Sequence, residues 1–290
     1  MPVRTVARPA GRRRGLLAGL TVLTLAALPV RADEATLADA IRKADAAGTE
    51  TPRVSVLDSE IDLDGAYRVQ QIVVDTRLAA GDSVAGYKAG LTGKLARWWF
   101  DIDNPVFGVI LAAGLRTSGD AIAIPKGRHM LLETEIAFVA GARIDGPVAD
   151  VAALKPLIRG VAPVIEAPAG GFPESQARKL TVTDIVANNV SAHILIVGDE
   201  RPTAGLDLKR LTATLSRDGK QISKGNGADA MGDPWTAALW LVKVAVKQGR
   251  VIEPGHLLST GVIGKRIEAE PGRYTADFAE LGQFEFTITK

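Results

Sequence analysis

Apolar residues recur at helical spacing in two early stretches of the chain. The first stretch lies within residues 34–48 and ends at Gly48, while the second runs to Gly81 with Asp64 as its expected N-cap. A helix presents residues three and four positions apart on one face, so each stretch carries an apolar stripe. The two stripes are Leu37, Ala40, Ile41 and Ala44, and then Ala66, Val69, Ile72 and Val73. This pattern predicts a helical N-terminal subdomain over residues 33–81.

After residue 82 the pattern changes to alternating apolar and polar positions broken by glycine turns, which is typical of β-strands. Asp218-Gly219 and Gly282 each stand between two alternating runs, so we predict a hairpin at both places. One long helical pattern interrupts the strands, beginning after the cap Asp233 and ending at Gly249. Its expected core face is Trp235, Leu239, Val242 and Val246. The predicted fold class is therefore α+β, with the helical subdomain followed by a mixed, largely β core over residues 82–290.

The first 32 residues have the order of an export signal. Several arginines precede an apolar stretch from Gly15 to Val30, and Val30-Arg31-Ala32 is typical of a small-x-small cleavage site. Arg13-Arg14 followed by glycine and two leucines also resembles a twin-arginine signal. We expect residues 1–32 to be a signal peptide, of the Sec or the twin-arginine type, that directs the protein to the periplasm and leaves no membrane span after cleavage. The alternative is an uncleaved membrane anchor.

Composition and charge exclude several classes of function. The 290 residues carry a net charge of +2, and much of the basicity lies in the leader, so no basic face remains to neutralise the phosphates of a nucleic acid. The chain has no cysteine, which excludes disulfides, thiolate metal sites and a cysteine nucleophile. The three histidines, His129, His193 and His256, are interpreted as structural.

Two glutamates stand in the middle of an apolar run. In LLETEIAFVAG, Glu133 and Glu135 are separated by one residue, so a strand would point both carboxylates to the same face. Like charges on a half-buried surface repel each other unless a positive group lies between them. Glu166 is the only acid in another mostly apolar run, and three carboxylates suit Mg²⁺ or Mn²⁺. The alternative is that Glu133 and Glu135 lie on the exposed face of an edge strand.

Six short motifs occur in a characteristic order along the chain. They are GYKAGLTGK from Gly86, NPVFGVIL from Asn104, LETEIAFVAG from Leu132, APVIEAP from Ala162, TDIVANNVSA from Thr183 and EPGRYTADFAELG from Glu270. Together they resemble the 2-oxopent-4-enoate (2-keto-4-pentenoate) hydratase and 4-oxalocrotonate decarboxylase family, within the fumarylacetoacetate hydrolase superfamily. The resemblance covers residues 33–289.

This resemblance implies a fumarylacetoacetase C-terminal-like β-roll and a divalent-metal-dependent lyase. The implied activity is hydration of a 2-hydroxy-2,4-dienoate to a 4-hydroxy-2-oxo acid, and the alternative within the family is decarboxylation of a 2-oxo-3-enedioate. The family's metal ligands match Glu133, Glu135 and Glu166, and its proton-transfer lysine matches Lys88. The residues that match the family's substrate-bordering positions are Asn189, Ser191 and Ser259.

The chain departs from the family pattern where acidic side chains are expected. Ala112 and Ala113 follow the FG motif, and Asn188 stands where the family's DNASS motif has aspartate. This loss leaves open a third function, that of a periplasmic protein which binds a 2-oxo acid without turning it over. Lys88 favours an enzyme, because its apolar, glycine-rich surroundings are expected to lower its pKa toward the working range. We expect a homo-oligomer whose partner is a small-molecule 2-oxo acid.

Overall fold

The computed structural model describes residues 32–172 and 179–290, so all of the predicted signal peptide except Ala32 lies outside the described residues. Three helices come first: α1 (Glu34–Ala47), α2 (Val54–Leu57) and α3 (Leu63–Ala79). Helix α1 ends at Gly48, as predicted, where the left-handed φ of 62° is one that glycine adopts without a steric penalty. Among the described residues, no helix combines the length and the apolar character that crossing a membrane requires.

The N-cap predicted for α3 is wrong by two residues. Asp62 is the cap, since its extended backbone precedes the helix and its Oδ1 accepts a hydrogen bond from Gly65 N at 2.7 Å. Asp64 lies inside the first turn, where a negative charge favours the helix dipole. In the predicted stripe, Ala66 and Val69 are fully buried.

The strands form two sheets that follow the helices. The larger has the order β2-β1-β10-β5-β6-β7-β3, with β11 also paired to β5, and the smaller has the order β4-β13-β12-β8-β9. The α+β prediction, with helices before a largely β core, is confirmed. The bounds are β1 Val84–Gly90, β2 Val106–Leu111, β3 Leu115–Thr117, β4 Ala121–Ala123, β5 Leu131–Ala140, β6 Ile158–Ala167, β7 Ile194–Val197, β8 Thr212–Arg217, β9 Lys220–Asn226, β10 Leu257–Ser259, β11 Ile263–Glu268, β12 Gly272–Asp277 and β13 Gln283–Thr289.

Both predicted hairpins are present in the smaller sheet. Strands β8 and β9 are antiparallel and are joined by Asp218 and Gly219, whose φ values of 49° and 80° are those of a tight hairpin turn. Strands β12 and β13 are antiparallel and turn near Gly282. Short-range turn chemistry therefore predicts these pairings correctly.

Short helices connect the strands, and one long helix packs on the core. The short ones are α4 (Lys94–Trp99), α5 (Val151–Leu154) and α6 (Val182–Ala187), and the long one is α7 (Pro234–Lys247), capped by Asp233 as predicted. The predicted core face of α7 is rotated from the observed one. Of the expected stripe, only Val242 is fully buried, and the buried face also includes Ala237, Ala238, Leu241 and Ala245. Because α7 is apolar on most sides, spacing alone does not choose the face, and its alanines allow the closest approach to the core.

Candidate functional site

Four neighbouring strands place five of the seven predicted site residues on one face of the larger sheet. Glu133 on β5 is directly opposite Glu166 on β6, and Glu135 shares the face of Glu133 because side chains alternate along a strand. On the other side of β5, β10 carries Ser259, which is paired with Lys88 on β1. The order β1-β10-β5-β6 thus brings together residues that are far apart in the sequence.

The three glutamates form one cluster. Each offers a carboxylate oxygen, and these three oxygens lie within 4.8 Å of one another. Glu135 and Glu166 are buried, whereas Glu133 is partly exposed. Strand β5 is paired on both of its edges, so the alternative of an exposed edge strand is wrong.

The positive group beside these carboxylates is Lys88. Its Nζ forms an ion pair with Glu166 Oε1 and donates a hydrogen bond to Val190 O at 2.9 Å. The two side chains are almost inaccessible, with 6% exposed for Lys88 and 3% for Glu166. A buried ammonium group therefore stabilises the metal-free cluster against the mutual repulsion of the glutamates.

The pKa expected for Lys88 from the sequence is wrong in direction. Burial lowers this pKa, but the charges of Glu166, Glu133 and Glu135 more than offset burial, so the pKa lies above its ordinary value. The apolar context along the sequence gave no sign that three carboxylates surround the amine. Burial, followed by the charge of Glu166, also raises the pKa of Glu133 to about 7. Burial and the charges of Glu166 and Glu133 raise the pKa of Glu135 well above its usual range.

The cluster fits a hard divalent cation. Glu135 Oε1 and Glu166 Oε2 are buried and have no hydrogen-bond partner among the described residues. Carboxylate oxygens only accept, so an unpartnered buried one is costly unless a cation lies beside it. An all-oxygen ligand set without histidine or cysteine is the type that Mg²⁺ and Mn²⁺ prefer. Glu133, Glu135 and Glu166 are therefore the residues that would hold such an ion.

Asn189 and Ser191 lie in a short 3₁₀ segment, Asn189–Ser191, that follows α6. The Asn189 amide bonds to β2, accepting from Val109 N and donating to Val109 O, both at 2.8 Å. All three residues of the segment have φ between 50° and 56°, a left-handed conformation that is uncommon for any residue except glycine. This turn directs Val190 O at Lys88, and Ser191 Oγ lies against Gly170. The role of both residues toward a substrate stays a prediction.

A cleft of about 380 Å³, measured out to its open mouth, leads to Lys88 and Glu166. These two residues are buried, while Arg77 and His193 also line the cleft and are exposed, so they mark its mouth. Arg77 was not among the predicted site residues, and His193 was interpreted as structural. No local motif connects Arg77 on α3 to the cleft, because the contact depends on how the helices pack on the sheet. Between the two ends the cleft has apolar lining that includes Ile110, Leu111, Ile194 and Leu195.

Comparisons with known proteins agree with this arrangement. The chain is 30% identical over 255 residues to the TodF product hydratase of Pseudomonas putida, covering 87% of this chain and 94% of the relative. It is 29% identical over 259 residues to the 2-keto-4-pentenoate hydratase of Burkholderia vietnamiensis, covering 88% and 97%. The solved 4-oxalocrotonate decarboxylase of Pseudomonas putida G7, complexed with magnesium and adipate, superposes with a TM-score of 0.83 at 24% identity, covering 88% of this chain and 97% of that one.

The superposition confirms the predicted β-roll as the fold of the core. The model of the fumarylacetoacetate (FAA) hydrolase C-terminal family matches residues 77–289, which is most of the chain. The chain therefore belongs to the fumarylacetoacetate hydrolase C-terminal family.

Proposed function

We propose that the protein is a hydro-lyase dependent on Mg²⁺ or Mn²⁺ that hydrates a 2-hydroxy-2,4-dienoate to a 4-hydroxy-2-oxo acid. The observation that carries this proposal is the cluster of three glutamates with a buried lysine ion-paired to one of them. The hydratase names of the relatives support the reaction type. One water molecule is added in this reaction. Its oxygen bonds to C4, the 2-hydroxyl group loses its proton as it becomes a carbonyl, and this proton and one from the water balance the new C–H bonds at C3 and C5.

In the proposed reaction, different residues of the chain bind the metal ion and transfer protons. A divalent ion held by Glu133, Glu135 and Glu166 would supply positive charge to the carboxylate and 2-oxygen of the substrate. Lys88 is ion-paired with Glu166 and has an ammonium proton to donate to C5 of the dienol. The amine that remains can accept a proton from the water that attacks C4. Apolar cleft residues, among them Ile110 and Leu195, limit bulk water around these steps.

An absorbance assay tests this proposal. The protein from residue 33 onward is stripped of metal with a chelator, and 2-hydroxypenta-2,4-dienoate is added with and without Mg²⁺ or Mn²⁺. We expect the dienol absorbance to fall only when the metal is restored. Equal loss in metal-free and metal-loaded samples would contradict the role of the cluster.

A second candidate, decarboxylation of a 2-oxo-3-enedioate, is favoured by the mouth of the cleft. Arg77 Nη2 lies 3.1 Å from Asp82 Oδ2, and the other guanidinium N–H groups can still bind a carboxylate. In this reaction the bond to the distal carboxylate breaks, carbon dioxide leaves, and the electron pair enters the conjugated 2-oxo system. Arg77 and His193 would then bind the distal carboxylate of the 2-oxo-3-enedioate, a group that the hydratase substrate lacks.

Replacing Arg77 separates the two candidates. We expect Arg77→Gln to lower kcat/KM for a six-carbon 2-oxo-3-enedioate about tenfold or more, the usual scale for a lost charged hydrogen bond, and to change hydration of the monoacid dienoate little. Arg68→Gln is the matched control, since Arg68 lies on the same helix and also pairs with one acid, Glu34, at 3.0 Å. Equal effects of Arg77→Gln on both substrates would contradict recognition of a second carboxylate.

We propose that the protein acts in the periplasm after removal of residues 1–32. The support is the order of basic, apolar and small residues at the N-terminus. Mass spectrometry of protein from the native host should find Asp33 at or near the mature N-terminus. A full-length product in the cytoplasmic fraction would contradict export.

A further inference from the structure

We propose that Ser259 is a positioning residue that fixes the carboxylate of Glu135 for metal binding, rather than a residue that contacts the substrate. The inference rests on the proposed metal-dependent function. It assigns to Ser259 a role that the family motif alone does not reveal.

The hydroxyl group of Ser259 forms a hydrogen bond with Glu135. Ser259 is fully buried, and its Oγ lies 2.5 Å from Glu135 Oε2. With a cation bound, Glu135 is ionised and only accepts hydrogen bonds, so the single hydroxyl proton of Ser259 would point at Glu135. A charge-assisted bond of this length is among the stronger hydrogen bonds in proteins.

A second hydrogen-bond donor contacts the same oxygen of Glu135, Oε2. Gly261 N donates to Glu135 Oε2 at 3.1 Å, and Gly261 has a left-handed φ of 94°. A Cβ at Gly261 would lie 2.5 Å from the side chain of Thr92, so only glycine brings this backbone so close without displacing Thr92. Glu135 Oε2 thus has two donors.

The other oxygen of Glu135 is left as the ligand atom. Glu135 Oε1 is buried and has no hydrogen-bond partner among the described residues, although Oε2 of the same group has two. Holding one carboxylate oxygen in place fixes the rotation of the group and therefore the position of the other. Supporting hydrogen bonds of this kind orient the ligands of metal sites in general.

The position of Ser259 also argues against direct contact with a substrate. Ser259 is fully buried, and its hydroxyl group is already hydrogen-bonded to Glu135. The pairing of β10 with β1 and β5 places Ser259 between Lys88 and the strand that carries Glu135.

Calorimetric titration of metal-free protein with Mn²⁺ tests this role without using turnover. We expect Ser259→Ala to weaken Mn²⁺ affinity about 10–100-fold, the scale found for groups that support metal ligands, and Ser259→Thr to recover most of the loss. Saturating Mn²⁺ should restore most of kcat to Ser259→Ala with little change in the KM for the dienoate. Ser223→Ala is the control, because Ser223 on β9 is also buried, and its hydroxyl group bonds to the backbone of Lys265 on β11 and to none of the three glutamates.

Several outcomes would overturn the proposal. Wild-type Mn²⁺ affinity in Ser259→Ala with a raised KM would assign Ser259 to the substrate instead. If Ser259→Ala does not fold, Ser259→Cys keeps the volume with a poorer donor, and wild-type affinity in that variant would be equally contradictory. Normal Mn²⁺ binding without turnover by the wild type would contradict only the proposed reaction, whereas a wild type that binds no Mn²⁺ would contradict both.

Discussion

Replacing Lys88 with alanine is expected to lower kcat roughly 10²–10⁴-fold, the usual scale for loss of a general acid or base. The affinity for a 2-oxo acid should change much less, because the three glutamates that would hold the metal remain. Lys88→Arg should not restore activity, since a guanidinium group stays protonated and cannot take a proton back. Steady-state kinetics and calorimetric binding of a non-reacting 2-oxo acid separate these effects.

The matched control for Lys88 is Lys243, whose Nζ also donates to a backbone carbonyl, Ala149 O, at 2.8 Å. Lys243→Ala should retain wild-type kcat because this lysine lies on the exposed side of α7. Full activity of Lys88→Ala would show that the ion pair with Glu166 is structural and would contradict the proposed proton transfer.

Replacing Glu133 or Glu135 with glutamine is expected to lower divalent-metal affinity by more than the 10–100-fold typical of a lost supporting group, because a ligand itself is removed. The hydratase activity should fall together with the metal affinity. In the metal-free protein, either change removes a carboxyl group whose pKa is raised by burial and by its neighbours, so the free energy of unfolding at and above neutral pH should not decrease. Mn²⁺ calorimetry and denaturant unfolding of the stripped protein measure both quantities.

Glu166 should behave differently from the other two glutamates. Glu166→Gln also removes a ligand, but it leaves the buried Lys88 without its ion-pair partner, so the metal-free protein should become less stable. Glu285→Gln is the control, since Glu285 is an exposed strand glutamate of the smaller sheet. Unchanged metal affinity in all three cluster variants would contradict the metal site.

The sequence predicts local features of the site because they depend on strand alternation. Glu133 and Glu135 share a face whichever strands lie beside β5, and the hairpin at Asp218-Gly219 follows from turn chemistry. Strand alternation does not predict which positively charged side chain lies beside the carboxylates. The pairing of Lys88 with Glu166 depends on the strand order β1-β10-β5-β6, and no pattern within either strand specifies that order.

The sequence also did not predict the features that depend on how the helices and strands pack together. The sign of the Lys88 pKa shift follows from charges contributed by β5 and β6, and the cleft position of Arg77 follows from how α3 lies on the sheet. The core face of α7 could not be chosen because the helix has apolar residues on most sides. For Ser259, the motif located the residue near the site, and only the pairing of β10 with β5 placed its hydroxyl on Glu135.

The most direct test of the central claim is identification of the product formed by metal-loaded protein. Metal-loaded and chelated samples are incubated with 2-hydroxypenta-2,4-dienoate, and the products are analysed by mass spectrometry and by NMR in D₂O. In the metal-loaded sample only, we predict a product that is heavier than the substrate by one water molecule when the reaction is run in H₂O. When it is run in D₂O, the product should be hydroxylated at C4 and deuterated at C3 and C5. Unchanged substrate, bound by the metal-loaded protein but not converted, would contradict the enzyme and favour a binding protein.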